Sequence, residues 1–190
     1  GGNGKGVFVD VLKYVFGTYA GVINAKALID RNANSIPSDI ATLANKRFVM
    51  MSEFPEHAPL NTATVKSITG GDEITARHLY REWFEFKPQF QVVCALNDLP
   101  KLTWVDEAYF RRVRIVPFNR IFEPHERDKS LHTALKAEAD GIMRWLVEGY
   151  QLYGKEGLEP TAKMRALSEA YRVNEDPVTQ FVDTCLSNST

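Results

Sequence analysis

The sequence predicts an α/β domain built on a mostly parallel sheet and followed by a helical C-terminal part, on three observations. The chain opens on a glycine-rich segment, Gly1-Gly2-Asn3-Gly4-Lys5-Gly6, that runs directly into an apolar helical stretch. Two continuous apolar runs, residues 47–51 and 90–96, end in the polar pairs Ser52-Glu53 and Asn97-Asp98, and strands that are apolar on both faces belong in a parallel sheet covered by helices. Beyond Phe122 the apolar residues recur at helical spacing, first Leu131, Leu135, Ile142, Leu146 and Tyr150, then Met164, Leu167 and Tyr171.

The opening segment reads as the end of a phosphate-binding loop. Glycines allow the backbone to take φ > 0 and to turn successive N–H groups toward a polyphosphate, which makes Gly2, Asn3, Gly4, Lys5 and Gly6 the candidate phosphate contacts. Lys5 would reach the β/γ-phosphates from the start of a helix whose N-terminal dipole favours anions. The pattern G-x-x-x-x-G-K-[ST] is matched in part: its first Gly falls ahead of residue 1, and Gly6 stands where a Ser or Thr hydroxyl would touch Mg²⁺. A plain turn before a helix fits the fragment as well. A chain opening inside such a loop is expected to be an excerpt of a longer polypeptide, with the central strand of the sheet in the missing part.

Residues 5–19 are expected to form an amphipathic helix, with Val7, Val11, Leu12, Val15 and Phe16 on one face. A short strand follows at Val22-Ile23, and Ser38-Asp39 caps a helix through Ala44. The runs 47–51 and 90–96 are then strands. Ligands in open α/β sheets gather at the carboxyl ends of the strands, so Glu53 and Asn97 are expected beside the phosphate loop. ATP hydrolysis needs a carboxylate to order Mg²⁺ and its water or to orient the attacking water, and a neutral polar group near the γ-phosphate. Glu53 and Asn97 suit those roles, and equally suit the capping of strand ends.

Between the two runs, residues 61–69 read as a helix, Gly70-Gly71-Asp72 as a turn, and residues 73–80 and 83–87 as the arms of a hairpin ended by Pro88. The segment carries Lys66, Arg77, His78, Arg81 and Lys87, with Tyr80 and Trp83 near the tip. Basic groups that meet phosphates beside aromatics that stack on bases hold single strands without sequence choice. A solvated hairpin with its aromatics packed on the core is the alternative. Residues 104–118 then read as a short acidic-capped helix leading into another apolar strand, with Arg111-Arg112 at the junction. An Arg inserted into a neighbour's site stabilises charge on the transferring phosphate, an effect of roughly 10³–10⁵ in rate. The alternative is a surface ion pair with Asp106 or Glu107, worth about 0–1 kcal/mol.

With 190 residues and 44% apolar composition, the chain suffices for one α/β domain plus at most a small appendage. A net charge of −1 provides no global basic field, so nucleic-acid contact has to come from local clusters. Cys94, Cys185 and four isolated histidines show neither a disulfide framework nor ligand spacing for a metal. No apolar stretch approaches the roughly 20 residues that span a bilayer, and no signal peptide opens the chain, so an intracellular protein without membrane contact is expected. In the tail, helices are expected over residues 127–153 and 161–172, broken at Gly141, Gly154 and residues 157–160, with a last helix from Asp176-Pro177 through Leu186. The division is thus 1–122 for the core and 123–190 for a helical extension.

Taken in order, GNGKG, RFVMMSE, KSITGGDEITARHLYREWFEFKP, FQVVCALNDLP and DEAYFRRVRIVPF resemble the helicase domain of phage and plasmid primase-helicases. These are superfamily 3 helicases, similar to the poxvirus primase-helicase. The resemblance runs from residue 1 to about residue 150, and ITGGDxITAR…FEFxP is its most specific block. It implies a three-layer, AAA+-like P-loop ATPase core with a pre-sensor β-hairpin, using ATP and Mg²⁺ in a homo-oligomeric, hexameric ring that translocates on single-stranded or forked DNA. It also implies a primase domain upstream in the same polypeptide and a phage, prophage or plasmid protein in the cytoplasm of a bacterial host. By position Lys5 is the Walker A lysine, and Glu53 the Walker B acid that meets Mg²⁺ through the nucleotide. Ser52 stands where many such enzymes carry a second acid, Asn97 is the sensor, and Arg111 and Arg112 are the finger region. The DNA-facing set is Lys66, Arg77, His78, Tyr80, Arg81 and Lys87. Gly6 removes one Mg²⁺ ligand, so hydrolysis is expected to be weakened and not abolished. Two rivals stand beside this reading: an AAA+ ATPase that remodels protein, and a degenerate, non-catalytic nucleotide- or DNA-binding module.

Overall fold

The computed structural model describes residues 2–29, 38–51, 54–55, 58–176, 178, 181–182 and 185. The apolar run after Arg47 forms the middle strand of a parallel sheet whose order is β1 (Ala20–Val22), β2 (Phe48–Met51), β6 (Gln91–Cys94). Val49 lies opposite Gly21 on one side and Val92 on the other. All four residues of β2 are buried, and the two-residue period of a strand divides them between the faces of the sheet. Phe48 and Met50 pack with Val9, Leu12 and Phe16 of α1 (Lys5–Phe16) and with Ile142 and Leu146 of α6 (Ala139–Glu156). The Phe16 and Phe48 rings stack at 5.2 Å. Val49 and Met51 join the opposite cluster, with Ile40, Leu43, Ile68, Ile74, Tyr109 and Tyr171. Apolar side chains therefore cover both faces of β2, which accounts for its unbroken apolar run.

The second run differs from expectation. Gln91 and Cys94 of β6 are exposed, while Val92 and Val93 are half-buried, because among the described residues β6 pairs with β2 alone.

The intervening chain supplies the remaining pieces. α1 gives way to a 3-10 turn at Gly17–Tyr19, and β1 begins two residues ahead of the expected Val22. α2 (Ser38–Ala41) stops short of Ala44. Two-residue strands, β3 (Pro59–Leu60) and β7 (Lys101–Leu102), pair in parallel. α3 (Thr62–Thr69) starts where Asn61 Oδ1 accepts from the Thr64 amide at 2.9 Å, as an N-cap should. β4 (Ile74–Arg77) and β5 (Trp83–Phe86) form an antiparallel hairpin, with Ile74 opposite Phe86 and Arg77 opposite Trp83.

α4 (Glu107–Phe110) is capped by Asp106, whose Oδ1 accepts from the Ala108 amide at 2.8 Å. The strand expected over residues 113–118 is absent: the segment is irregular, and the Phe118 carbonyl accepts from Asn3 Nδ2 at 3.0 Å instead of joining a ladder. The helix expected over residues 127–153 is two helices, α5 (Leu131–Ala137) and α6, parted at Glu138. Gly141 and Gly154 do not break α6, since an interior glycine costs only about 1 kcal/mol. α7 (Ala162–Glu175) follows, with Asp176 as its extended C-cap; of the last expected helix, Val178, Phe181, Val182 and Cys185 are helical, Asp176 is not, and the rest falls outside the described residues.

α7 is tied to the region after β6. Tyr171 is 5% exposed in the core, its hydroxyl donates to the Pro100 carbonyl, and burial pushes its pKa well above the ordinary tyrosine value. Glu175 accepts from the Leu102 amide at 2.8 Å and from Lys101 Nζ at 3.1 Å. No helix among the described residues is long and apolar enough to cross a membrane.

Candidate functional site

Gly2 and Gly4 take φ of 89° and 81°, the left-handed region where a Cβ is disfavoured. A Cβ on Gly2 would also lie 2.8 Å from Arg127 Nη2. The loop they shape is braced from outside: Gly2 O accepts from the Phe122 amide at 2.9 Å, Arg127 Nε donates to the Phe122 carbonyl at 2.9 Å, and the Phe8 and Phe118 rings meet at 5.8 Å. Gly4 is the N-cap of α1, which has no side-chain cap and no acidic residue in its first turn; Asn3 Oδ1 accepts only a long bond, 3.4 Å, from the Lys5 amide. The leading amides of α1, with the positive end of its dipole, thus suit an anion.

Lys5 crosses from this helix to the carboxyl end of β6. Its Nζ donates to the Leu96 carbonyl and to Asn97 Oδ1 at 3.2 Å, so the fold brings together two candidate residues 92 positions apart. A Cβ on Gly6 would meet nothing within 4 Å, which leaves room for the hydroxyl the motif lacks. Ser52 and Glu53 lie outside the described residues. The strand they follow ends at the same edge, since Met51 is in register with Cys94 and its carbonyl accepts from the Ala95 amide at 2.8 Å. Gly2, Asn3, Gly4, Lys5 and Asn97 fit a phosphate chain by chemistry and position. Among the described residues no group of three or more His, Cys, Asp or Glu is placed to hold a metal by itself.

The hairpin divides its aromatic residues between base and tip. Ile74 and Ala76 are buried, and Phe86 packs on the core. Toward the turn, the Arg77 guanidinium sits 4.8 Å over the Trp83 ring, His78 stacks on Phe84 at 5.4 Å, and Arg81 donates its amide to the His78 carbonyl at 3.0 Å. Tyr80, with φ of 59°, is 96% exposed and Leu79 71%. Arg81 and Lys87 are exposed. Packing of the aromatics on the core therefore describes the base and not the tip.

Lys66 is placed elsewhere. It lies in the last turn of α3, outside the hairpin strands, and pairs with Asp106 Oδ2. The Lys66 hydrogen bond, then that of the Ala108 amide, holds the Asp106 carboxyl below its ordinary pKa, with help from the charge of Arg111. Arg111 and Arg112 are both exposed, and Arg112 Nη1 donates to the Ala108 carbonyl at 2.7 Å. Sequence reasoning missed the double engagement of Asp106; its cap was legible as an Asp before a short helix, whereas the partner 40 residues upstream left no local mark. It also missed the bracing of the loop by Phe118, Phe122 and Arg127.

A family model described as "Family of unknown function (DUF5906)" matches residues 1–112. The chain belongs to the DUF5906 family. This DUF5906 member is 30% identical, over 96% of its own length, to a protein of Acanthamoeba polyphaga mimivirus whose name begins "Putative helicase". It is 34% identical over 64% of its length to a Frog virus 3 protein so named, and 28% identical over 82% to one of the Sputnik virophage. The chain spans only 21%, 13% and 22% of the lengths of these relatives. All three relatives carry a helicase name.

Proposed function

We propose that this chain is part of the ATP-driven motor of a viral-type replicative DNA helicase, with a three-layer, AAA+-like P-loop core of superfamily 3. The observation that carries the proposal is the meeting of Lys5 with Asn97 at the carboxyl end of β6, beside a helix N-terminus without a side-chain cap. The names of the viral relatives support it at the level of the family.

In this reading the amides of the Gly2 to Gly6 loop and the Lys5 ammonium bind the phosphates of ATP, and Asn97 positions the water that attacks the γ-phosphate. Glu53, by its place in the sequence after β2, orients that water and meets Mg²⁺ through the nucleotide. Mg²⁺ and ATP, when bound, supply a charge-neutralised phosphoryl group for in-line displacement. Arg111 or Arg112 reaches the site of a neighbouring copy in a hexameric ring, and Arg77, His78, Tyr80, Arg81 and Lys87 contact single-stranded or forked DNA. A primase segment upstream completes the polypeptide.

Steady-state ATP hydrolysis by the full-length protein, with and without single-stranded DNA, tests this beside Lys5→Ala and Glu53→Gln. Hydrolysis stimulated by DNA and reduced about 10²-fold or more in each variant is expected. No hydrolysis above the variants, in a folded protein that still binds DNA, would select the second reading that Gly6 favours, a non-catalytic nucleotide- or DNA-binding module.

A further inference from the structure

We propose that Asp106 is a positioning residue which, through Lys66, couples the DNA-facing hairpin to the Arg111-Arg112 pair. The proposal rests on the helicase reading above and names how its two working surfaces communicate. One carboxylate serves two elements at once: Oδ1 caps α4 through the Ala108 amide at 2.8 Å, and Oδ2 holds Lys66 in the last turn of α3. α3 leads through Gly70-Gly71 straight into β4, and α4 is a single turn whose C-cap is Arg111. Ile68 of α3, Ile74 of β4 and Tyr109 of α4 lie in one buried cluster, so the three elements share a packed base.

A tilt of the hairpin moves α3, the Lys66 ammonium pulls on Asp106, and the far end of α4 carries the shift to the arginines. Lys66 is thereby a strut and not a DNA contact. Its side chain is 35% exposed and that of Asp106 29%, so the pair adds little to stability; what it adds is a link between elements 40 residues apart.

The test measures single-stranded DNA affinity, and ATP hydrolysis with and without that DNA, in the full-length protein and in Asp106→Asn, Lys66→Met and Lys66→Arg. Asn keeps an oxygen for the cap, and Arg keeps the ion pair. Asp106→Asn and Lys66→Met should retain unstimulated hydrolysis and DNA affinity within about twofold while losing about fivefold or more of the stimulation by DNA, the lower range of a coupling between sites. Lys66→Arg should keep the stimulation. Stimulation that survives in Asp106→Asn and Lys66→Met overturns the proposal alone. So does weakened DNA affinity in Lys66→Met with none in Asp106→Asn, which would make Lys66 a DNA ligand, or a parallel fall of both hydrolysis rates with thermal stability, which would make the pair merely structural. A native protein that DNA does not stimulate overturns the helicase reading and this inference with it.

Discussion

At the carboxyl end of β6, Lys5 is held by the Asn97 side chain and by the Leu96 carbonyl, whereas at the hairpin tip Tyr80 and Leu79 stand 96% and 71% exposed. Both regions were candidate binding surfaces in the sequence, yet they are built in opposite ways. In the proposed reading, a small, multiply charged ligand would meet groups fixed in place before it arrives, since each rotor frozen in advance is one that binding need not freeze. In the same reading, a polymer would meet side chains presented to solvent on a rigid base, because its bases and phosphates would slide past them.

Substitutions along the hairpin can break that contrast. Ile74→Ala, at the buried base, should cost about 2–5 kcal/mol of stability by denaturant unfolding; a negligible cost would mean that the core does not anchor the hairpin. Tyr80→Ala, at the tip, should leave stability within about 0.5 kcal/mol yet weaken single-stranded DNA binding by about 1–3 kcal/mol in a titration. Unchanged affinity would remove the tip from the interface. The smallest effect is expected at the phosphate loop: Gly6→Ser, entering open space, should raise Mg²⁺-dependent turnover about threefold, or ~0.7 kcal/mol. No change in turnover would show that a hydroxyl there does not serve the metal.

What the sequence made legible was local. The loop, α1, α3 and the hairpin each carry their signal within a few residues: glycines beside a lysine, Asn61 before a helical run, Gly70-Gly71 between two arms. The misreadings came where a pattern needs a distant partner to acquire meaning. Val113, Ile115 and Val116 have the composition of a strand, but no neighbouring strand takes them up among the described residues. β3 and β7 span two residues each and have no periodicity to read. In α1, Val9 is 3% exposed although it lies outside the expected face, because the helix is covered by α6 as well as by β2 and its buried stripe is wider than one sheet contact requires. Of the candidate site, the meeting of Lys5 with Asn97 was expected from the rule that ligands gather at strand ends. The pairing of Lys66 with Asp106 was not legible, since Lys66 read in isolation is one more basic residue near a hairpin.

The contacts of α7 bear on where an independently folding unit ends. Tyr171 and Glu175 reach back 71 and 73 residues to bond Pro100 and Leu102, and Tyr171 fills the cluster that holds Tyr109 and Met51. The stretch matched by the family model, residues 1–112, therefore shares its buried cluster with a helix that lies beyond it. A polypeptide cut after residue 112 would lack the Tyr171 side chain of that cluster and the Glu175 carboxylate that bonds Lys101 and Leu102.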